Sequence, residues 1–260
     1  MSKKTLLQLR PKAKTISFSC AESCCYTLVQ PDIVYTFINN LEETRMAYIT
    51  MSAGGGAGGV GCISGIYFIS GGGGGAGSTV QQKPVLIRPG QQLYIKLGRG
   101  GVSKENRNGE RSYLRLVELD RVVYELSLEG GKNGHPLLCE LDRHVMIDGT
   151  NGGMGGQSRL KECLSGCNGK KGLVGIPSQM VCLGGTGGGN IFEQGGDGGA
   201  NLVCEGGCGG NNGGIDIIGA DGMYGSGGGG SCPLSNHQIP QLSGNGGNGF
   251  ASLQICCEII

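Results

Sequence analysis

The distribution of glycine constrains this chain more than any other feature. Residues 1–53 contain none, and all 56 glycines lie in the remainder of the 260-residue sequence. Glycine gives up the most backbone entropy on folding and brings no side chain to bury, so such a sequence stays disordered unless backbone packs on backbone. The hydrophobic residues argue for order, because they make up 38% of the chain and sit in discrete β-rich runs between the glycine tracts. A collagen triple helix is excluded: there is no strict Gly-X-Y period and only 8 residues are proline.

Between Gly149 and Gly249 the glycines acquire a period. The element Gly-Gly-x-Gly-Gly starts at Gly152, Gly184, Gly195 and Gly206, the last three at eleven-residue spacing. Those three copies place glycine at Gly184, Gly185, Gly187 and Gly188, at Gly195, Gly196, Gly198 and Gly199, and at Gly206, Gly207, Gly209 and Gly210. An internal repeat of this kind fits polyglycine-II geometry, with three residues per turn, a rise of ~3.1 Å and no internal hydrogen bonds. Two faces of each rod are then bare and x falls on the third. Thr186, Asp197 with Ala200, and Cys208 with Asn211 are expected on such edges, as are Asn245 and Asn248 in Gly244-Asn-Gly-Gly-Asn-Gly249. Bare faces let neighbouring rods bond through their N–H and C=O groups, as buried backbone must. A Cβ added at Gly198 or Gly209 would invade that contact.

The rest of the chain reads as strands. Alternating or β-branched runs predict strands at 15–20, 26–29, 33–38 and 46–51, with Pro31 and Asn39-Asn40 as breaks. Glycine runs at Gly54–Gly61 and Gly71–Gly77 flank an apolar piece from Cys62 to Ser70. Three strand pairs are expected next: 84–88 with 92–97 about a Pro89-Gly90 turn, 113–117 with 122–128, and 137–140 with 145–147. The last stretch, Phe250 to Ile260, is an apolar strand that needs a sheet to join, and the early strands are its expected partners. The predicted fold is therefore all-β, with sandwich-like strands combined with a bundle of polyglycine-II helices and almost no α-helix. Its zones are 1–53, glycine-free; 54–148, hairpins with two glycine runs; 149–249, the polyglycine-II bundle; and 250–260, the closing strand, with 46–260 as one compact unit.

This order resembles a known group. A strand entering a glycine run (Met46-Ala-Tyr-Ile-Thr-Met-Ser-Ala-Gly-Gly-Gly56) is followed by a second run ending Gly-Ala-Gly-Ser78 and by Val85–Gly101. With Ser112–Gly131 and the Gly-Asn-Gly-Gly-Asn-Gly ending, this is similar to the glycine-rich domains of viral particles. These include bacteriophage tail-fibre tips and glycine-rich virion proteins of large DNA viruses. The resemblance covers 46–260 and leaves 1–45 outside it. It implies a β-sheet domain with a polyglycine-II bundle, used as a rigid structural or recognition part of a virion, and it transfers no catalytic residue.

Chemical motifs give little against that. A net charge of +1 provides no field for nucleic acid or an anionic membrane, and basic residues are never interleaved with aromatics. No apolar run approaches the ~20 residues of a membrane span, and the N-terminus lacks the pattern of a signal peptide. Gly54-Gly-Gly-Ala-Gly-Gly59 matches G-x-G-x-x-G, yet no Asp or Glu occurs between Glu43 and Glu105, as a dinucleotide site would require. The 13 cysteines are odd in number and scattered, which suits reduced, buried thiols in a chain assembled in a reducing cytoplasm. Two C-x₃-C pairs, Cys163/Cys167 and Cys204/Cys208, could together supply four thiolates to a zinc ion. Cys139 with His144 is the nearest approach to a nucleophile–base pair, while His135 and His237 stand alone. No other cofactor is expected.

The leading expectation is thus a non-enzymatic structural protein of a virus particle. It would be a minor capsid, surface or fibre component, assembling through its sheets with itself or with other virion proteins in the host cytoplasm as a homo-oligomer or part of a larger assembly. One alternative is an adhesin that binds a host receptor through rod-end loops at 190–194, 201–205 and 231–242. The other is a cysteine-based metal-binding protein.

Overall fold

The structure, a computed structural model, describes residues 12–18, 23–64, 67–69, 71–105, 107–134, 153–157, 163–172, 174–175, 186–187, 219–231 and 243–256. In chain order the strands are β1 (Lys12–Phe18), β2 (Cys24–Leu28), β3 (Ile33–Asn39), β4 (Arg45–Ser52), β5 (Cys62–Ser64), β6 (Tyr67–Ile69) and β7 (Thr79–Ile87). They continue with β8 (Gln92–Lys96), β9 (Ser112–Glu118), β10 (Arg121–Leu128), β11 (Cys163–Leu164), β12 (Val174–Gly175) and β13 (Ala251–Cys256). Among the described residues the one helical piece is a 3-10 turn at Ser103–Glu105. The all-β class expected from the sequence is the class observed. The predicted strands at 137–140 and 145–147 lie outside the described residues.

Two five-stranded sheets face each other. One has the order β1-β3-β8-β9-β10 and the other β11-β7-β4-β13-β2; a small sheet, β12-β6-β5, closes the far ends of the first two glycine runs. Period-2 alternation puts one face of each large sheet inside. β4 and β13 alternate buried with half-buried or exposed residues, and so does β8. Phe37, Leu93, Ile95 and Leu114 from the first sheet share one core with Ile49, Met51, Ile87 and Leu253 from the second. Tyr26 of β2 meets Phe37 of β3 edge to face across the core, ring centroids 5.2 Å apart. The closing strand finds the expected partners: β13 lies between β4 and β2 and is antiparallel to both.

One predicted pair is corrected. Residues 84–88 and 92–97 do not form a ladder, because β7 pairs with β4 while β8 pairs with β3 in the opposite sheet. The Pro89-Gly90 turn itself is present: Gln91 N–H donates to the Arg88 carbonyl at 3.1 Å, and Gly90 has φ 76°. Pro followed by a positive-φ glycine is a type II turn, whose twist splays the flanking strands instead of pairing them. The turn is therefore a corner at which the chain changes sheets.

Asn39, wholly buried, fastens that corner. Its Nδ2 donates at 2.8 Å to the carbonyls of both Glu43 and Ile87, and its Oδ1 accepts the Leu41 N–H at 3.1 Å. Its backbone accepts Gly90 N–H at 2.8 Å and donates to the Gln91 carbonyl at 3.2 Å. Two sheet-crossing connections, β3 to β4 and β7 to β8, thus share one carboxamide.

The β9–β10 hairpin turns on Leu119 and Asp120, with φ of 46° and 60°. Both central positions of a type I′ turn need positive φ, which Asn and Gly adopt far more readily than leucine. Leu119 is also 91% exposed, so it gains nothing by packing. The double substitution Leu119→Asn with Asp120→Gly is expected to stabilise the protein by about 1 kcal/mol, read as a higher urea midpoint at unchanged slope.

Candidate functional site

Six strands run straight into glycine-rich segments: β4 into 53–59, 71–78 into β7, β8 into 97–103, 107–111 into β9, β10 into 129–134, and 243–249 into β13. The ladder register passes through without a break. Ser52 faces Thr79 in the β4–β7 ladder, and beyond it Ala53, Gly56 and Gly59 donate to the carbonyls of Ser78, Gly75 and Gly72 at 3.0, 2.8 and 2.7 Å. Met51 faces Ala251, and Ser52, Gly55 and Gly58 then donate to Phe250, Gly247 and Gly244. Only the period changes. Bonds to a given neighbour now recur every third residue, as in a polyglycine-II rod, so the remaining residues of each turn address other neighbours.

Segment 53–59 is surrounded on every side. Besides its bonds to 71–78 and 243–249, Gly54 donates to the Glu110 carbonyl at 3.1 Å. Its carbonyls accept from three more segments: Gly54 and Ala57 from Gly131 and Gly134, Gly55 from Gly101, and Gly56 and Gly59 from Gly228 and Ser231. Three residue phases, each with one donor and one acceptor direction, give six neighbours. Segment 71–78 is packed the same way against 53–59, 129–132, 153–156, 167–170 and 225–231, with the Thr186 carbonyl against Gly73. The rods are thus stacked in a hexagonal lattice held by backbone hydrogen bonds, with no side-chain layer between the two sheets' continuations.

Glycine is needed there for space. Only Gly90 and Gly225 among the described glycines have positive φ, so the rods do not use glycine's left-handed freedom. A Cβ built on Gly54, Gly55, Gly56 or Gly58 would stand 2.0, 1.9, 2.1 or 2.0 Å from a neighbouring backbone carbonyl oxygen. In the native lattice an Hα occupies that direction and makes a C–H···O contact.

Rods on the outside show the expected third-residue edge. In 153–157, Met154 and Gln157 are exposed and the three glycines buried; in 98–102, Arg99 and Val102 are the exposed positions flanking Gly100 and Gly101. The Arg99 guanidinium is held by Asp32, whose hydrogen bond and charge raise its pKa. Asn245 and Asn248 do lie on an edge, where their Oδ1 atoms accept the Ser103 and Gly100 N–H groups at 2.9 Å each. Asn108 and Asn168 do the same for Asn133 and Gly155 at 3.0 and 2.8 Å. Each carboxamide oxygen serves a rod N–H as a neighbouring backbone carbonyl does elsewhere. Thr186 is buried, and its carbonyl accepts the Lys170 N–H at 2.8 Å.

Where strand becomes rod, buried serines join the two periods. Ser112 Oγ donates to the Ser52 carbonyl and accepts the Gly98 N–H, both at 2.8 Å. Ser52 Oγ donates to the Tyr224 carbonyl at 2.9 Å and accepts the Phe250 N–H at 3.0 Å; Ser78 Oγ donates to the Glu129 carbonyl at 3.1 Å. All three serines are fully buried. The sequence marked them only by position, next to a glycine segment. Ser52→Ala and Ser112→Ala are each expected to destabilise by about 1–3 kcal/mol. The bond between the two uses the Ser52 backbone carbonyl, which Ser52→Ala retains, so the two losses should add to within about 0.5 kcal/mol in a denaturation cycle.

The remaining candidate residues fall as follows. Gly54–Gly59, the G-x-G-x-x-G match, is the central rod, and its N–H groups at Gly54, Gly55, Gly56, Gly58 and Gly59 all bond to neighbouring backbone. Cys163 is buried in β11 opposite Val80, and Cys167 is half-buried in the segment that follows. Among the described residues no group of three or more His, Cys, Asp or Glu is gathered as a metal site. Cys204 and Cys208, Cys139, the three histidines, Gly198 and Gly209, the repeat copies apart from Thr186 and Gly187, and the loops at 190–194, 201–205 and 232–242 lie outside the described residues.

The sequence matches a protein family described as a glycine-rich domain, over residues 33–255. The chain belongs to that family. The glycine-rich domain therefore starts at β3 and ends in β13, so it takes in 33–45, which the sequence resemblance had left out, while β1 and β2 precede it. No curated protein matches the chain.

Proposed function

We propose that this glycine-rich domain protein is a non-enzymatic structural component of a virus particle, a minor capsid, surface or fibre protein assembled in the host cytoplasm with its own copies or other particle proteins. One observation carries the structural part of this reading: the interior of the bundle is backbone bonded to backbone on all sides of 53–59, an arrangement that resists deformation and presents no chemical group. The viral part rests on the resemblance, read from the sequence, of its order of strands and glycine runs to that of virion glycine-rich domains. Quantitative mass spectrometry of particles banded on a density gradient tests it. Co-banding with the major capsid or fibre protein at a fixed copy ratio is the expected result. Recovery only in the soluble fraction of the host cell overturns it.

A further inference from the structure

We propose that β1 is an exchangeable strand, and that a second copy of this chain is its partner: β1 of one molecule adds to β3 of another. The inference deepens the assembly reading above and rests on it. Among the described strands β1 pairs with β3 alone, in parallel, from Lys12 opposite Ile33 to Phe18 opposite Asn39. Lys12, Ala13, Lys14, Thr15 and Ser17 are exposed, and Ile16 packs partly against the core. From Lys12 to Ser17 the ladder therefore holds β1, with little help from side-chain burial.

The other half of that ladder is different. β3 is anchored by buried Tyr35, Phe37 and Asn39, and on its far side it is paired with β8. It is the first strand of the family domain, whereas β1 lies before the matched region. With β1 removed, β3 would present a long, rigid, unpaired edge, the kind that templates addition of another strand. No hairpin ties β1 to β3, because the chain between them passes through β2 in the opposite sheet. A β1 supplied by a neighbour makes the same ladder as the chain's own, so exchange needs no new interface chemistry. Lys12 and Lys14 on the seated strand then discourage further pairing at the outer edge. Reciprocal exchange closes a dimer, and one-way exchange builds a chain.

The test mixes full-length, reduced protein with a ¹⁵N-labelled batch and reads native mass spectra as concentration is raised. Species containing both labels are expected to appear with concentration. Thr15→Pro, which removes an N–H from the middle of β1, should lower the mixed fraction about tenfold or more while the far-UV spectrum and melting temperature stay near wild type. Should that variant misfold, an excess of a peptide of residues 12–18 added to wild-type protein should suppress mixing to a similar degree. A wild-type protein that stays monomeric at every concentration overturns the exchange, and the particle experiment still decides the structural role. Mixing that survives both the proline and the peptide also overturns it, and assigns assembly to another surface.

Discussion

Gly55→Ala is expected to cost more than about 4 kcal/mol or to prevent folding, the range that marks exceptional single-residue damage. The added Cβ would sit 1.9 Å from the Ser226 carbonyl oxygen and 2.4 Å from its carbon. That neighbour is itself bonded into the lattice, since the Ser226 carbonyl accepts Gly247 N–H at 2.8 Å, so it cannot retreat without opening a second contact. Two controls separate space from conformation. Gly90→Ala meets no atom within 4 Å but must keep φ near 76°, and it should cost only about 1–2 kcal/mol of left-handed strain. Ala57→Gly, in the same rod as Gly55 and fully buried, should cost about 1 kcal/mol through backbone entropy and a lost methyl. Chemical denaturation of the three variants gives the ranking; Gly55→Ala falling beside Gly90→Ala would refute the close-packed lattice.

The second large effect is expected at Asn39. Asn39→Ala leaves the carbonyls of Glu43 and Ile87 and the Leu41 N–H without their side-chain partner, a loss of about 2–4 kcal/mol. Against a typical total of about 5–15 kcal/mol this is a substantial share. Asn39→Asp is more informative, because it keeps the acceptor for Leu41 and turns an oxygen toward two carbonyls that now receive an N–H at 2.8 Å each. The ionised carboxylate is repelled there, while the neutral acid can still donate once. Its pKa in the folded state is therefore raised above the unfolded value, and the folded variant binds a proton more tightly. Stability of Asn39→Asp relative to wild type should accordingly improve as pH falls from 8 to 5, measured as urea midpoints. A pH-independent deficit would mean that the carboxamide is not what ties the two corners.

The strands were largely legible. Runs at 33–38, 46–51, 113–117 and 122–128 became β3, β4, β9 and β10 because each has a period-2 apolar face that only a sheet can bury. The Pro89-Gly90 corner was misread as a hairpin: the dipeptide announces a turn, but whether its strands pair depends on which sheet each joins, a long-range choice fixed by β3 and β4. The edge residues Asn245 and Asn248 could be read because a GGx rod has an outside, and its third position says where that outside is. The central rods could not. Gly71–Gly75 and Gly54–Gly56 have no x at all, so no phase is visible, and the reason is structural: a rod with neighbours on all faces has room for a methyl at most, as at the fully buried Ala57 and Ala76. The bundle was expected in 149–249; among the described residues, rods at 53–59 and 71–78 are also enclosed on all sides. A glycine run broken by nothing larger than alanine marks these enclosed rods, and one broken by larger residues marks the rim.

The unbroken register from strand to rod also fixes how such a molecule can change length. In the rods, the direction of each N–H repeats only after three residues, and segment 53–59 is locked at one end to β4 and along its length to six others. Deleting one residue from it would turn everything beyond by a third of a revolution, aiming each downstream donor at the wrong neighbour. Insertions and deletions in the enclosed rods are thus admissible only in steps of three, and only when the surrounding rods change in step. In the sandwich the step is two, since one residue moves a side chain from core to solvent. A single chain is therefore measured out in two different units, with the serine seam at 52, 78 and 112 marking where one gives way to the other.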